Sequence, residues 1–268
     1  MTGEAGPQST PDRGPAGMRS VERALQVLST LSERPSGFSL VDLARVTGIP
    51  MTTLHRLLGV LRSASLVAET ATGLHTVGVG SVVLARAFLD GVDLRDIAKP
   101  EMAAVVEATG ETCHLGVLAS VHVVYLEKID SPHPVRMHST VGGTNPAVST
   151  AIGRAILAHS SQAVLREVLE GSERLFGMPF DEQDIDAVLD DVRSSGYSTD
   201  LQDNELGICC VGAPVFDHTG RVIAGLSLST PSSRFDSSRL DQVGALVAAA
   251  GERVSRALGW SGTQAEVG

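Results

Sequence analysis

The stretch from residue 51 to residue 62 carries short polar and basic side chains and no carboxylate. Leucines at 54, 57, 58 and 61 recur at the spacing of one helix face, so a helix over residues 50–63 turns the remaining side chains outward. Such a face suits duplex DNA, because an acid there would meet phosphates, whereas hydroxyls and arginine bond phosphates or base edges. The residues predicted to contact DNA are Met51, Thr52, Thr53, His55, Arg56 and Arg62.

Cysteine and histidine could bind a metal or act in catalysis, and they occur as the neighbours Cys113-His114 and Cys209-Cys210. Adjacent residues on a strand point to opposite faces, so neither pair can hold a tetrahedral metal by itself. A zinc site assembled from different strands and an enzyme with Cys113 or Cys210 as nucleophile stay open as alternatives. The sequence offers no cation to activate a thiol, no GxSxG elbow, no P-loop and no dinucleotide fingerprint. We therefore predict no catalytic residue, no metal site and no cofactor.

Two further helices and a hairpin must position the DNA-contacting helix. Residues 20–32 predict a first helix whose inward face carries Ala24, Leu25, Leu28 and Leu31. Ser39, followed three residues later by Asp42, is a capping-box pattern that opens a short second helix. Extended runs at 66–69 and 75–77 flank a polar turn and predict a wing. Residues 18–79 are thus predicted to form a winged helix-turn-helix domain.

A different partner for this domain stays open, since winged helices also bind proteins. The outward positions of Met51 and Val60 favour a protein-binding signalling adaptor as the alternative. Residues 80–92 predict a linker helix that is apolar on more than one face, so it needs cover from two sides. Either a partner subunit or the chain's own domains would supply that cover.

Residues 93–260 alternate between helical and extended patterns. The predicted helices span 94–109, 151–159, 162–170, 181–195 and 238–258, and the predicted strands span 112–119, 121–129, 135–139, 209–216 and 222–229. Five or six strands flanked by helices indicate an α+β, GAF-like domain.

Charge and composition limit the setting in which the chain works. The net charge is −10, yet residues 18–78 hold six arginines against four acids, so a mildly basic module joins an acidic one. Three cysteines cannot build a disulfide framework, and no stretch reaches the ~18 apolar residues of a membrane span. Residues 1–17 lack the apolar segment of a secretory signal. We predict a cytoplasmic protein without a membrane partner, with tails at 1–17 and 261–268.

Five blocks in order resemble the IclR-type transcriptional regulators over nearly the whole chain. They are residues 20–28 (SVERALQVL), 48–58 (GIPMTTLHRLL), 149–155 (STAIGRA), 196–200 (GYSTD) and 205–215 (ELGICCVGAPV). The resemblance implies a homodimer, or a tetramer built from two dimers, whose winged domains bind operator DNA. It also implies a GAF-like domain that binds a small organic acid or aromatic metabolite. A repressor is the function expected.

The resemblance also implies an effector pocket. Its residues would be Ala151, Ile152, Asp200, Cys210, Ser227 and Ser229, with Met137 in the apolar wall. Amides at the start of the predicted helix 151–159 are unpaired donors at a positive helix end, so a carboxylate ligand is expected. The sequence departs from members that respond to glyoxylate or pyruvate, where a Gly-Ala-type pair is commonest at the place of Ala151-Ile152. That difference changes the shape of the pocket and leaves the backbone donors in place.

Overall fold

A computed structural model describes residues 16–89, 91, 93–177 and 182–263, and the chain divides into two compact units after Gly91. The first unit contains the helices α1 (Ala16–Ser32), α2 (Leu40–Thr47) and α3 (Met51–Ser63), the strands β1 (Val67–Glu69) and β2 (His75–Val77), and the helix α4 (Gly80–Leu89). β1 and β2 pair antiparallel, with Glu69 opposite His75. These elements form the predicted helix-turn-helix with its wing.

Local hydrogen bonds set the entry to α2 and the turn that follows it. The hydroxyl of Ser39 accepts from the amide of Asp42 at 3.1 Å and donates to the Asp42 carboxylate at 2.8 Å. Gly48 ends α2 with φ +66°, a conformation that costs glycine little, and Pro50 then precedes α3. The turn thereby fixes the direction in which α3 leaves α2.

The core of the first unit corrects one expectation about α1. The prediction that Leu25 faces the core is wrong, because Leu25 is 59% exposed and Val27 is fully buried. The inward stripe consists of Ala24, Val27, Leu28 and Leu31, which follow the helical spacing i, i+3, i+4, i+7. This stripe packs against Leu43, Leu54, Leu58 and Leu61 of the other two helices.

The second unit is built on one antiparallel sheet. Its elements are α5 (Leu94–Thr109), β3 (Thr112–Ala119), β4 (His122–Ile129), β5 (Thr144–Pro146), α6 (Ala151–Leu157), α7 (Gln162–Phe176), α8 (Glu182–Ser195), β6 (Ser198–Leu201), β7 (Ile208–Phe216), β8 (Val222–Pro231), a 3₁₀ turn (Ser237–Arg239) and α9 (Leu240–Ala257). The strand order is β5-β4-β3-β8-β7-β6. The six strands agree with the α+β expectation.

Helices cover both faces of this sheet. On one face, α5 and α9 pack on a core that includes Cys113, Leu115, Val211 and Leu226. On the other, Ile152 and Ile156 of α6 join residues of β4, α7 and α8, among them Val123, Leu165 and Val192. Each strand of the centre is therefore buried on both sides, which explains the nearly continuous burial of β7 and β8.

The predicted strand at 135–139 is wrong. Residues 130–140 form no strand, and β5, at Thr144–Pro146, pairs with β4 instead. Pro132 and Pro134 lack amide donors, which disfavours a ladder in this segment. α7 also runs to Phe176, past the predicted end at 170. Residues 1–15 and 264–268 of the predicted tails, Asp90 and Val92 of the predicted linker, and residue 181 of a predicted helix lie outside the described residues.

Candidate functional site

The outward face of α3 is open to solvent. Leu54, Leu58 and Leu61 are buried beneath it. Five of the six residues predicted to contact DNA are exposed and Thr53 is half-buried; the exposed ones are Met51, Thr52, His55, Arg56 and Arg62. The face carries no carboxylate of its own. It has the accessibility and the chemistry that a groove-reading helix needs.

The two arginines of α3 have different surroundings. Arg62 forms an ion pair with Glu69 of the wing. Arg56 is exposed and has no ion-pair partner among the residues that the structure describes. The Arg56 guanidinium therefore keeps all of its donors for an external acceptor, whereas that of Arg62 also ties the helix to the wing.

A polar cluster lies under α6, on the face of the sheet away from α5 and α9. Asp200, Cys210 and Ser229 stand directly opposite one another on β6, β7 and β8. The Cys210 thiol donates to the Ser229 hydroxyl at 3.2 Å. Ser227 shares the face of Ser229, because it lies two residues away on the same strand. The structure thus brings together four of the residues predicted for the effector pocket.

His114 joins this cluster from β3, where it pairs with Ser227. Its Nε2 lies 2.7 Å from the Ser139 hydroxyl, its Nδ1 lies 3.4 Å from that of Ser229, and its ring centroid is 4.7 Å from that of Tyr125. The side chain is completely buried. Burial, assisted by the charge of Lys128, lowers the pKa of His114 to about 4. The ring is therefore neutral near pH 7 and offers one donor and one acceptor.

Glycines allow α6 to lie directly on the cluster. A Cβ on Gly212 would come within 2.7 Å of the Ala151 backbone, and one on Gly225 within 3.1 Å of the Ile152 side chain. The Ser198 hydroxyl donates to the Ala151 carbonyl at 2.6 Å. Ala151 and Ile152 are each 1% exposed, so the start of α6 forms the roof of the cluster.

Among the predicted pocket residues, Asp200 also has a structural role, and Met137 lies in a loop. The Asp200 carboxylate accepts from the amides of Asp203 at 2.8 Å and Asn204 at 3.2 Å and so holds the turn after β6. Burial raises the pKa of Asp200 above its ordinary value. Met137 is 3% exposed and lies in the loop after β4, two residues before the Ser139 that contacts His114.

The sequence interpretation missed His114 as a member of this cluster, together with Tyr125, Lys128 and Ser139. Lys128 pairs with His114 across β3 and β4, and its Nζ donates to the Ser139 carbonyl at 2.6 Å. The alternation of side chains along β3 indicates that His114 and Cys113 lie on opposite faces of the sheet. Only the strand order shows that the face of His114 is also the face of Ser227. The strand order places β3 next to β8, a pairing between segments more than 100 residues apart.

The cysteines are on different faces. Cys209 lines the side next to Ala108 of α5 and Val243 of α9, whereas Cys210 bonds Ser229 beneath α6. Burial raises the pKa values of Cys113 and Cys210 to about 12, so both thiols are protonated and weakly nucleophilic. Within the described ranges, no three His, Cys, Asp or Glu side chains are arranged to hold a metal ion.

Comparison with known proteins decides the family. Residues 86–256 match the model of the C-terminal domain of the bacterial transcriptional regulator IclR, and residues 20–71 match the IclR helix-turn-helix domain. The chain belongs to the IclR family of transcriptional regulators. The regulator XynR of Escherichia coli is 34% identical over 91% of this chain and 98% of its own length. The transcriptional repressor IclR of E. coli is 29% identical over 90% of each chain.

A solved structure agrees in fold. HmgR of Pseudomonas aeruginosa has a TM-score of 0.79 and 26% sequence identity, over 91% of this chain and all of that one. This IclR-family chain is therefore a DNA-binding transcriptional regulator with an N-terminal helix-turn-helix domain and a C-terminal effector-binding domain. The matched relatives are regulators, which disfavours the enzyme and adaptor alternatives. In the described part of the chain, no helix combines the length and the hydropathy needed to cross a bilayer.

Proposed function

We propose that this IclR-family regulator is a cytoplasmic repressor whose effector is a small carboxylate bound between α6 and the sheet. The observation that carries the proposal is the buried polar cluster beneath α6. Ser227, Ser229 and His114 are all at most 4% exposed and supply hydroxyl and imidazole groups within an otherwise apolar layer. Such a cluster supports a polar ligand, because hydroxyl and imidazole groups within an apolar layer are the few polar groups that orient a small molecule in a binding site.

A carboxylate fits the donors that this cluster offers. The first amides of a helix have no acceptor within it. Thr150 satisfies the amide of Gly153, which leaves those of Ala151 and Ile152 for a ligand oxygen. Neutral His114 adds a ring N–H, and the two serines add hydroxyl donors. Met137, Ala151 and Ile152 would contact the apolar part of the ligand, while Asp200 and Cys210 close the far side.

The DNA contacts belong to α3. Arg56 and His55 would reach base edges, and Thr52 and Thr53 near the helix start would bond phosphates or bases. Met51 would contact base edges, and Arg62 would contact the DNA backbone next to the wing. Two such helices in one homodimer, or in a tetramer made of two dimers, would occupy successive major grooves of a double-stranded, pseudo-palindromic operator.

Apolar surfaces of the first unit support a partner subunit. Val79, Val82, Val83 and Leu84, next to or on α4, are between 63% and 74% exposed. Met18, Val21 and Leu25 of α1 are each about 60% exposed. Exposed apolar groups that cluster on two helices mark an interaction surface, and pairing with a second copy removes them from water.

The ligand proposal is tested with the full chain, pyruvate and benzoate as probes, and a Ser227→Leu variant. We expect one of the two carboxylates to bind the natural protein and to release it from DNA. The variant should bind DNA with unchanged affinity, because Ser227 and α3 belong to different compact units, and should lose both ligand binding and release. Ser194→Leu, at an exposed site on α8, is the matched control. Retention of ligand binding and release by Ser227→Leu would show that the site is misplaced.

A further inference from the structure

The face of β7 and β8 that is opposite the polar cluster holds a cavity. Its floor consists of Cys209, Val211, Leu228 and Thr230, and its volume is about 120 Å³. These four residues are at most 6% exposed. Cys209 and Thr230 are the chain neighbours of Cys210 and Ser229 in the polar cluster, and neighbours on a strand point to opposite faces. The cavity and the polar cluster therefore lie back to back across the sheet.

One polar atom in the floor has no partner. The Thr230 Oγ1 is shielded from solvent and makes no hydrogen bond within the described residues. A buried hydroxyl left in this state costs stability, and native proteins rarely retain one without a use. A 120° rotation about χ1 carries the hydroxyl of a threonine to the staggered position that its methyl held, so a ligand in the cavity can bond the oxygen.

The mouth of the cavity carries charged side chains whose charges cancel. Arg234 forms two hydrogen bonds with the Glu111 carboxylate, at 2.7 and 2.6 Å. Asp236 accepts from the amide and hydroxyl of Ser238, at 3.0 and 2.6 Å, and lies near Arg239. Two acids face two arginines, so a ligand with net charge would lose its hydration without gaining a counter-charge.

We infer that this cavity is a second small-molecule site, distinct from the effector cluster, which takes an uncharged, ring-sized molecule with one hydroxyl group. The hydroxyl bonds Thr230, and the ring packs on Val211, Leu228 and Val243. The volume is slightly below that of an apolar cavity of ~150 Å³ in another protein core that binds benzene, so a single ring is the largest group that the floor accommodates. This site does not depend on the identity of the effector or on DNA binding.

Phenol and benzene, titrated into the full chain without DNA, test the inference. In methyl NMR spectra we expect phenol to shift the signals of Val211, Leu228 and Val243 and to leave those of Met137 and Ile152 in place. Thr230→Val keeps the shape of the side chain and removes its hydroxyl, which phenol can bond and benzene cannot. The affinity for phenol should therefore fall about fivefold, while the affinity for benzene stays unchanged. Without ligand, this variant should be more stable than the natural protein, since the unpartnered oxygen is gone.

A second variant tests the position of the site independently of Thr230. Ala108 lies exposed at the rim on α5, and Ala108→Leu should narrow the mouth and weaken both phenol and benzene without unfolding the domain. The inference is overturned if phenol shifts the Met137 and Ile152 signals instead, if no ligand shifts any signal, or if Thr230→Val binds phenol as tightly as the natural protein.

Discussion

His114 sets the electrostatic character of the cluster at the scale of a single residue. Its imidazole is completely buried among hydroxyls and the ring of Tyr125. An ionised ring would lose its hydration there without a paired carboxylate, and this explains the low pKa. A neutral ring can donate to an anionic ligand without adding a charge of its own.

The pKa of His114 predicts a loss of stability on mild acidification. The folded value is about 4 and the ordinary value 6.5, so between these pH values the unfolded chain binds a proton that the folded chain does not. Stability therefore rises with pH across this window and is lost as pH falls from 6.5 towards 4. Urea unfolding should show a slope at most about 1.4 kcal/mol per pH unit steeper for the natural protein than for His114→Gln. Equal slopes, or a His114 NMR titration near pH 6.5, would contradict this.

The absence of a side chain at Gly212 allows α6 to approach the sheet closely, so an added methyl group there should destabilise the domain. Gly212→Ala would place a methyl 2.7 Å from the Ala151 backbone, which cannot move without shifting the helix. We expect a loss of about 1–3 kcal/mol in the free energy of unfolding. Gly225→Ala is the matched comparison, since its methyl would lie 3.1 Å from the Ile152 side chain and 3.2 Å from the Ile152 carbonyl oxygen, a milder overlap than 2.7 Å. A smaller loss for Gly212→Ala than for Gly225→Ala would refute the close approach.

At the scale of elements, we propose α3 as the part of the molecule that contacts DNA. Arg56→Ala should weaken operator binding by ~1–3 kcal/mol if the guanidinium reads a base, and by less if it touches only phosphate. Arg166→Ala removes the same charge from an exposed site on α7 and should leave affinity unchanged. Fluorescence anisotropy with labelled duplex DNA measures both. Equal affinities for the two variants would exclude the assigned face.

Elements with strong local signals were predictable. The cap at Ser39, the glycine after α2 and the leucine spacing of α3 predict that part of the fold within one or two residues, because each is decided by neighbours in the chain. The segment 135–139 was not predictable in this way, since its apolar alternation suits a strand and yet β5 takes the edge of the sheet. Which segment pairs with β4 depends on contacts between distant residues that no local pattern records.

The same distinction applies to the site. Ser227 and Ser229 share a face by alternation alone, and the resemblance supplied Asp200 and Cys210. His114 and Ser139 required the strand order β4-β3-β8 and the path of the loop after β4. Cavities and unpartnered atoms, such as the Thr230 oxygen, are properties of packing, and so no sequence pattern indicates them.

At the scale of the whole molecule, the proposed homodimer would present two copies of α3 to DNA. Val83→Glu, at a position that is 69% exposed on α4, should convert the proposed dimer to a monomer, because a buried carboxylate would lie in the interface. Val141→Glu, at a position that is 58% exposed in the second unit, is the control and should stay dimeric. Analytical ultracentrifugation distinguishes the two states. A natural protein that sediments as a monomer would remove the dimer from the proposal.

Selection of genomic fragments by the full-length chain, against random competitor DNA and at two salt concentrations, tests most directly whether α3 reads operator DNA. We predict enrichment of a pseudo-palindromic sequence whose half-sites lie one helical turn (~34 Å) or a multiple apart, with an affinity that falls as salt rises. If no fragment is preferred over the competitor, with or without pyruvate and benzoate, the account of α3 as the reading helix is contradicted.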